Sequence, residues 1–162
     1  MSKIQDTLIF GIKSSKEMLD GFTADLKGSE WDHRAVPHSN CTAWLVGHLI
    51  LVDRRALELA GVNDLPELPA DFAAKFGREN NAPFAETFGD PSNLMPMFDK
   101  QREMLMAAIA RLPESKFDET LPKPNPRFKT YGEFFSFMAY HVMVHCGQIS
   151  TIRRSLGRAP LF

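Results

Sequence analysis

The segment Thr130–Gly157, TYGEFFSFMAYHVMVHCGQISTIRRSLG, decides the fold class, because it reads as one long helix with both ends marked. Thr130 is an N-cap residue, and Glu133, three positions on, can reach back to it and complete a capping box. Gly157 suits the left-handed position just past the last turn, with Arg153, Arg154 and Arg158 near the negative end of the helix dipole. Between these ends Phe134, Phe137, Met138, His141, Val144, His145, Gln148 and Ile152 recur at steps of three and four, which predicts one inward helical face. Two histidines then lie one turn apart on that face.

Working outward, the same spacing predicts three more helices. Ile4, Leu8, Ile12, Leu19, Phe22 and Leu26 mark a first helix from Ser2 to about Leu26, with Ser15 interrupting the apolar row. Gly28-Ser29 breaks it. A second helix starts with Ser39 or Asn40 as N-cap and stops at Gly61. Leu45, His48, Leu49, Val52, Ala56 and Leu59 form its inward stripe, whereas Asp53, Arg54, Arg55 and Glu58 are expected to point mainly outward. Gly47 beside His48 would allow close approach of another helix. A third long helix runs from about Ser92 to Leu112, with Pro96 tolerated in or near its first turn.

Residues 62–90 carry Pro66, Pro69, Pro83, Gly77 and Gly89 without a sustained period, and connections of this length often cover a site. Phe72, Phe76, Phe84 and Phe88 would anchor this stretch on the bundle as a crossover or lid, or else at a dimer contact. The segment after Leu112, PESKFDETLPKPNPRFK, reads as a second irregular connection. No alternating strand pattern competes, so the expected architecture is all-α, a four-helix bundle formed by residues 1–162 as one domain. The two longer connections leave room for a winding other than simple up-and-down.

Length and composition agree with that architecture. A chain of 162 residues can bury roughly two-thirds of its unfolded surface. Apolar residues at 44% and charged residues at 24% are those of an ordinary globular domain. A formal net charge of −1, with no basic stripe, predicts no nucleic-acid partner and no attraction to anionic membranes. No apolar run approaches the ~20 residues of a membrane-spanning helix, and the N-terminal stretch lacks the core of a secretory signal. Two cysteines, Cys41 and Cys146, each within a predicted helix, do not suggest a disulfide framework. The expectation is a cytoplasmic protein. A homodimer would suit a small bundle with exposed Met and Phe.

His141 and His145 form an i, i+4 pair with Cβ atoms about 6 Å apart, so their imidazoles can converge on one ion at about 2.0–2.1 Å. His48, in the apolar row of another helix, supplies a third candidate ligand. Three imidazoles would leave coordination positions open, as a catalytic site requires. The competing reading is that each is a hydrogen-bonded core histidine. The segment HVMVH lacks the glutamate of a zinc-protease motif. Gln148, one turn past His145, either hydrogen-bonds a ligand histidine or bound water or packs helix ends. Trp44, one turn before His48, either lines the pocket or packs the core. Cys146 follows a candidate ligand directly and points about 100° away from it. His33 and His38 fall in a loop and are expected to be exposed. No carboxylate falls in an inward row, so none is assigned as a general base.

AWLVGHLILVD around His48 and YHVMVHCGQISTIRRSLGRAPL around His141 and His145 resemble the DinB superfamily, over essentially the whole chain. That resemblance implies a four-helix bundle in which His48, His141 and His145 bind a divalent metal, zinc or nickel first, with iron or manganese also open. Better-understood relatives are metal-dependent transferases or isomerases that use low-molecular-weight thiols such as mycothiol, bacillithiol or glutathione. The resemblance therefore implies a small-molecule substrate and a thiol-dependent S-transferase or isomerase. The competing function is a non-catalytic, stress-associated bundle or interaction protein in which metal ties two helices together.

Overall fold

The computed structural model describes residues 2–78, 88 and 91–161, and Phe84, one of the expected anchors, lies outside them. Its helices are α1 (Lys3–Thr23), α2 (Thr42–Leu59), α3 (Phe72–Phe76), α4 (Leu94–Arg111) and α5 (Tyr131–Ser155). The four long ones form the bundle. Thr130 Oγ1 accepts from the Glu133 amide at 3.2 Å while Glu133 accepts from the Thr130 amide at 3.1 Å, so the capping box at the start of α5 is closed both ways. At the other end Gly157 has φ of 80°, the Arg158 amide reaches the Arg153 carbonyl and the Gly157 amide reaches that of Arg154. That is a Schellman ending, which needs the left-handed glycine.

The winding is not up-and-down. Among the described residues α1 packs on α5 and α4, and α2 packs on α4 and α5. The consecutive helices α1 and α2 therefore stand across the bundle's diagonal, as do α4 and α5. The connection that crosses from α1 to α2 carries a 3₁₀ turn at Gly28–Asp32 that buries Trp31. The one between α4 and α5 is not the irregular segment expected from sequence. It folds as a 3₁₀ turn, Glu114–Asp118, and an antiparallel hairpin of β1 (Thr120–Asn125) and β2 (Phe128–Thr130). Pro122 and Pro124 lack the amide hydrogen of a regular ladder, which hides this strand from pattern reading.

Several expected faces are also corrected. On α5 the buried row is Phe134, Phe135, Met138, Val142, His145, Cys146, Ile149, Ile152 and Arg153, and Val144 is 62% exposed. The true stripe is thus rotated from the expected one, with Phe135, Val142 and Ile149 fully buried and His141 half-buried. Phe72, Phe76 and Phe88 are buried, with α3 lying on α2. A Cβ on Gly47 would stand 2.2 Å from the Phe76 ring, so the close approach that Gly47 permits is made by α3.

Asp53 overturns its expected outward position. It is fully buried, and Arg102 Nε of α4 lies 2.7 Å from its Oδ2, off the line of a well-aligned hydrogen bond. Arg102 Nη2 donates to the Met138 carbonyl of α5 at 3.1 Å. The pair divides the core in two. On one side lie Leu49, Ile50, Phe98 and Val142, on the other Ala56, Leu57, Leu105 and Met138. Ser15, buried between Ile12 and Leu19 of α1, continues the polar layer and donates to the Ile12 carbonyl. Burial pushes the Asp53 carboxyl up to about 6 against the opposing pull of Arg102.

A second ion pair closes the bundle end. Arg153 is buried, donates to the Phe22 carbonyl at 3.1 Å and pairs through both terminal nitrogens with Asp25, which Arg158 also reaches at 2.9 Å. Asp53→Ala leaves Arg102 charged and buried without its carboxylate and should lower unfolding free energy by about 3–5 kcal/mol in urea titrations. A loss below 1 kcal/mol would remove the pair from the core's architecture. The Arg153 hydrogen bond, followed by the charges of Arg153 and Arg158, holds the Asp25 pKa below its ordinary 3.8. A depressed folded pKa means that the contribution is complete above the unfolded value and is lost as pH falls through the folded one. The stability gap between wild type and Asp25→Asn should therefore be constant from about pH 5 to 7 and shrink below about pH 4.

Candidate metal centre

His48 projects from the middle of α2 and His141 and His145 from successive turns of α5, the two helices being in contact. One nitrogen from each of the three rings lies within 4.8 Å of the other two. His48 and His145 are buried and His141 is half-buried. Among the described residues no Asp, Glu or Cys joins the group.

Each ring is held by a different neighbour. Trp44, a core residue, stacks on His48 with centroids 5.0 Å apart and 4° between planes. His48 Nδ1 is 3.3 Å from the Phe76 carbonyl. His145 Nδ1 is 2.6 Å from Gln148 Oε1. Phe137 stacks on His141 at 5.1 Å and 17°. Because a carbonyl oxygen only accepts, His48 and His145 carry their protons on Nδ1, and their Nε2 lone pairs are left for the interior of the group.

His141 makes the arrangement informative. Its Nε2 lies 2.9 Å from His145 Nε2, while its Nδ1 is buried without a hydrogen-bond partner. With His145 Nε2 an acceptor, either the proton of a neutral His141 on its Nε2 or a cation in its place lies between the two nitrogens. Nitrogens sharing a tetrahedral zinc at about 2.0–2.1 Å would stand about 3.3 Å apart, so the His141–His145 pair need separate by only a few tenths of an ångström to share one. Burial, with the charge of its partner histidines, lowers His141 to about 3, and burial also lowers His48 and His145. All three are neutral at pH 7, the state in which imidazole ligates metal. The residues fit a divalent cation.

Possible protein nucleophiles lie elsewhere. Cys146 is buried, and burial pushes its thiol up to about 12. Cys41, at the N-cap of α2, is buried with its pKa also raised by burial. His33 bonds Ser155 Oγ at 2.9 Å, His38 sits exposed in the loop with φ of 65°, and neither joins the group. Arg153 and Arg158 are engaged by Asp25 and Glu30, so they are not reserved for an anionic cofactor.

A cavity of about 560 Å³ opens beside the group, lined by His48 and His141, and is within the usual size for small-molecule sites. Sequence reading missed most of its walls. Gly77 and Arg78 follow α3, and Pro126, Arg127 and Phe128 come from the hairpin. The positive charge of Arg78 acts on both His48 and His141. The one local clue was Gly47, whose missing side chain beside His48 marks where Phe76 arrives.

Comparison with known proteins agrees with this fold. YfiT from Bacillus subtilis, described as "a probable metal-dependent hydrolase with an unusual four-helix bundle topology", superposes with a TM-score of 0.69 over 98% of this chain and 91% of its own. At 16% identity that likeness concerns the fold. The uncharacterized protein YuaE of Bacillus subtilis is 28% identical over 141 residues, covering 80% of this chain and 82% of its own length. The sequence model of the DinB superfamily matches residues 12–149, most of the bundle and all three histidines, and the chain belongs to that superfamily.

Proposed function

We propose that His48, His141 and His145 hold a divalent cation and that the protein is a metal-dependent enzyme acting on a small molecule in the adjoining cavity. The observation that carries this reading is the pair of Nε2 atoms 2.9 Å apart, with a third imidazole beside them and, among the described residues, no Asp or Glu in the group. Zinc or nickel suits three imidazole donors best, and iron or manganese is the next choice. A cation there supplies Lewis-acid chemistry and lowers the pKa of a coordinated water or thiol enough to give a nucleophile at neutral pH.

The chain's own residues position rather than attack. The Phe76 carbonyl and the Gln148 amide orient His48 and His145 with lone pairs inward. Trp44 and Phe137 stack on two of the rings and keep bulk water from their faces. With Cys146 inert and no carboxylate in the group, the nucleophile must come from outside the chain. A low-molecular-weight thiol makes the reaction an S-transfer or isomerisation, and water makes it a hydrolysis, the activity in the description of YfiT. The competing reading is a non-catalytic, stress-associated bundle in which the metal only ties α2 to α5. The cavity against His48 and His141 favours the enzyme, since a tether needs no such space.

Purified protein should contain one equivalent of divalent metal by elemental analysis, and His48→Ala should lower metal affinity at least tenfold. Unchanged uptake in that variant would refute the site. Metal-loaded protein should then turn over either thiol–electrophile pairs or esters and amides, and chelation should abolish that activity. Bound metal without turnover, together with a large loss of thermal stability on chelation, would support the tether instead.

A further inference from the structure

The cavity beside the histidines has a chemical bias of its own. Its walls are Leu51 and Val52 of α2 together with Phe128, Phe134 and Phe137. The three phenylalanines form an aromatic group, with Phe128 5.1 Å from Phe134 and 5.2 Å from Phe137 between ring centroids. Three arginines complete the lining, each from a different element: Arg55 from α2, Arg78 after α3 and Arg127 from the hairpin turn. All three are exposed, and no Asp or Glu lines the cavity among the described residues. Arg55 is shared with Glu58 at 3.0 Å. The histidines opposite are neutral, so the charged side chains among the described lining residues are all cationic.

We infer that this cavity binds a small organic acid, an aromatic or branched apolar body bearing one carboxylate, with the carboxylate at Arg78 and Arg127 and the apolar body against Phe128, Phe134 and Phe137. A guanidinium pairs with a carboxylate through two parallel hydrogen bonds and is weakly hydrated, so it recognises the anion beside apolar walls where an ammonium would not. The aromatic walls exclude water and take the body by area burial and ring contact. His48 and His141 line the same cavity, so a molecule held there lies beside the histidine group. Calling that ligand the substrate rests on the metal-centre reading above, whereas its binding does not.

The test uses the full chain, metal-loaded and metal-stripped, with 2-naphthoate, the neutral 2-naphthamide and 2-naphthyl phosphate, followed by calorimetry or ligand fluorescence. Naphthoate should bind at least tenfold more tightly than the amide in both forms of the protein. Arg78→Gln and Arg127→Gln should each weaken naphthoate by about tenfold while leaving the amide unchanged, which also shows that the variants are folded. Equal affinities for acid and amide, or acid binding indifferent to both arginine substitutions, would overturn the inference. So would acid binding seen only in metal-loaded protein, since the carboxylate would then be a ligand of the cation. Phosphate binding more tightly than naphthoate would overturn the carboxylate assignment. Failure of the metal centre is read separately, from metal content: a protein that takes up no metal yet discriminates acid from amide through Arg78 and Arg127 keeps this inference and loses the proposed reaction.

Discussion

The structure depends on one buried charge pair. Asp53 and Arg102 are withdrawn from water between two apolar clusters, where an ion pair stabilises little in itself but is very costly to break. Arg102 also donates to the Met138 carbonyl, so α2, α4 and α5 meet at a single point. His48 lies five residues before Asp53 on α2, and His141 lies three residues after Met138 on α5. Sliding α5 along α2 by one turn would take the Met138 carbonyl away and leave a buried Arg102 N–H without its acceptor. The pair therefore sets the register in which imidazoles from the two helices face each other.

Within that register the three imidazoles are chemically alike but differently supported. His48 is packed between Trp44 and the α3 carbonyl, His145 is held from its own helix by Gln148, and His141 stacks on Phe137 and meets His145 Nε2. Burial keeps all of them neutral, because a protonated imidazole would be charged in a site with no anion to answer it. The cavity repeats that imbalance with its arginines. Among the described residues arginines and neutral imidazoles line it and no carboxylate does, which is the basis for the anionic ligand proposed there.

Much of this was legible in local sequence. Thr130, Glu133 and Gly157 act within a few residues of their partners, so the limits of α5 follow from short-range hydrogen bonding and a left-handed φ. The i, i+4 spacing of His141 and His145 likewise puts them on adjacent turns whatever surrounds them. Asp53 misled because a charged residue beside Arg54, Arg55 and Glu58 reads as part of a solvated face. Its partner is 49 positions away on α4. The hairpin was obscured by Pro122 and Pro124, and the α5 stripe by the apolar Val144, which faces solvent. Arg153 and Arg158 looked like dipole compensation at a helix end, yet they clamp Asp25 and Glu30 from the other end of the chain.

By itself, then, the sequence determined the four long helices, the caps of α5 and the presence of three histidines in or beside apolar rows, since periodicity and capping are local properties of the chain. The N-cap of α2 is Cys41 rather than the expected Ser39 or Asn40. Tertiary structure decided which helices are neighbours, and with α1 opposite α2 rather than beside it that choice could not be read from connection lengths. It also decided that a carbonyl from α3 meets His48, and that arginines from α2, the segment after α3 and the hairpin share one cavity. Those contacts join residues distant along the chain. They exist only because close packing around the Asp53–Arg102 layer leaves each helix a single register in which no charge is stranded.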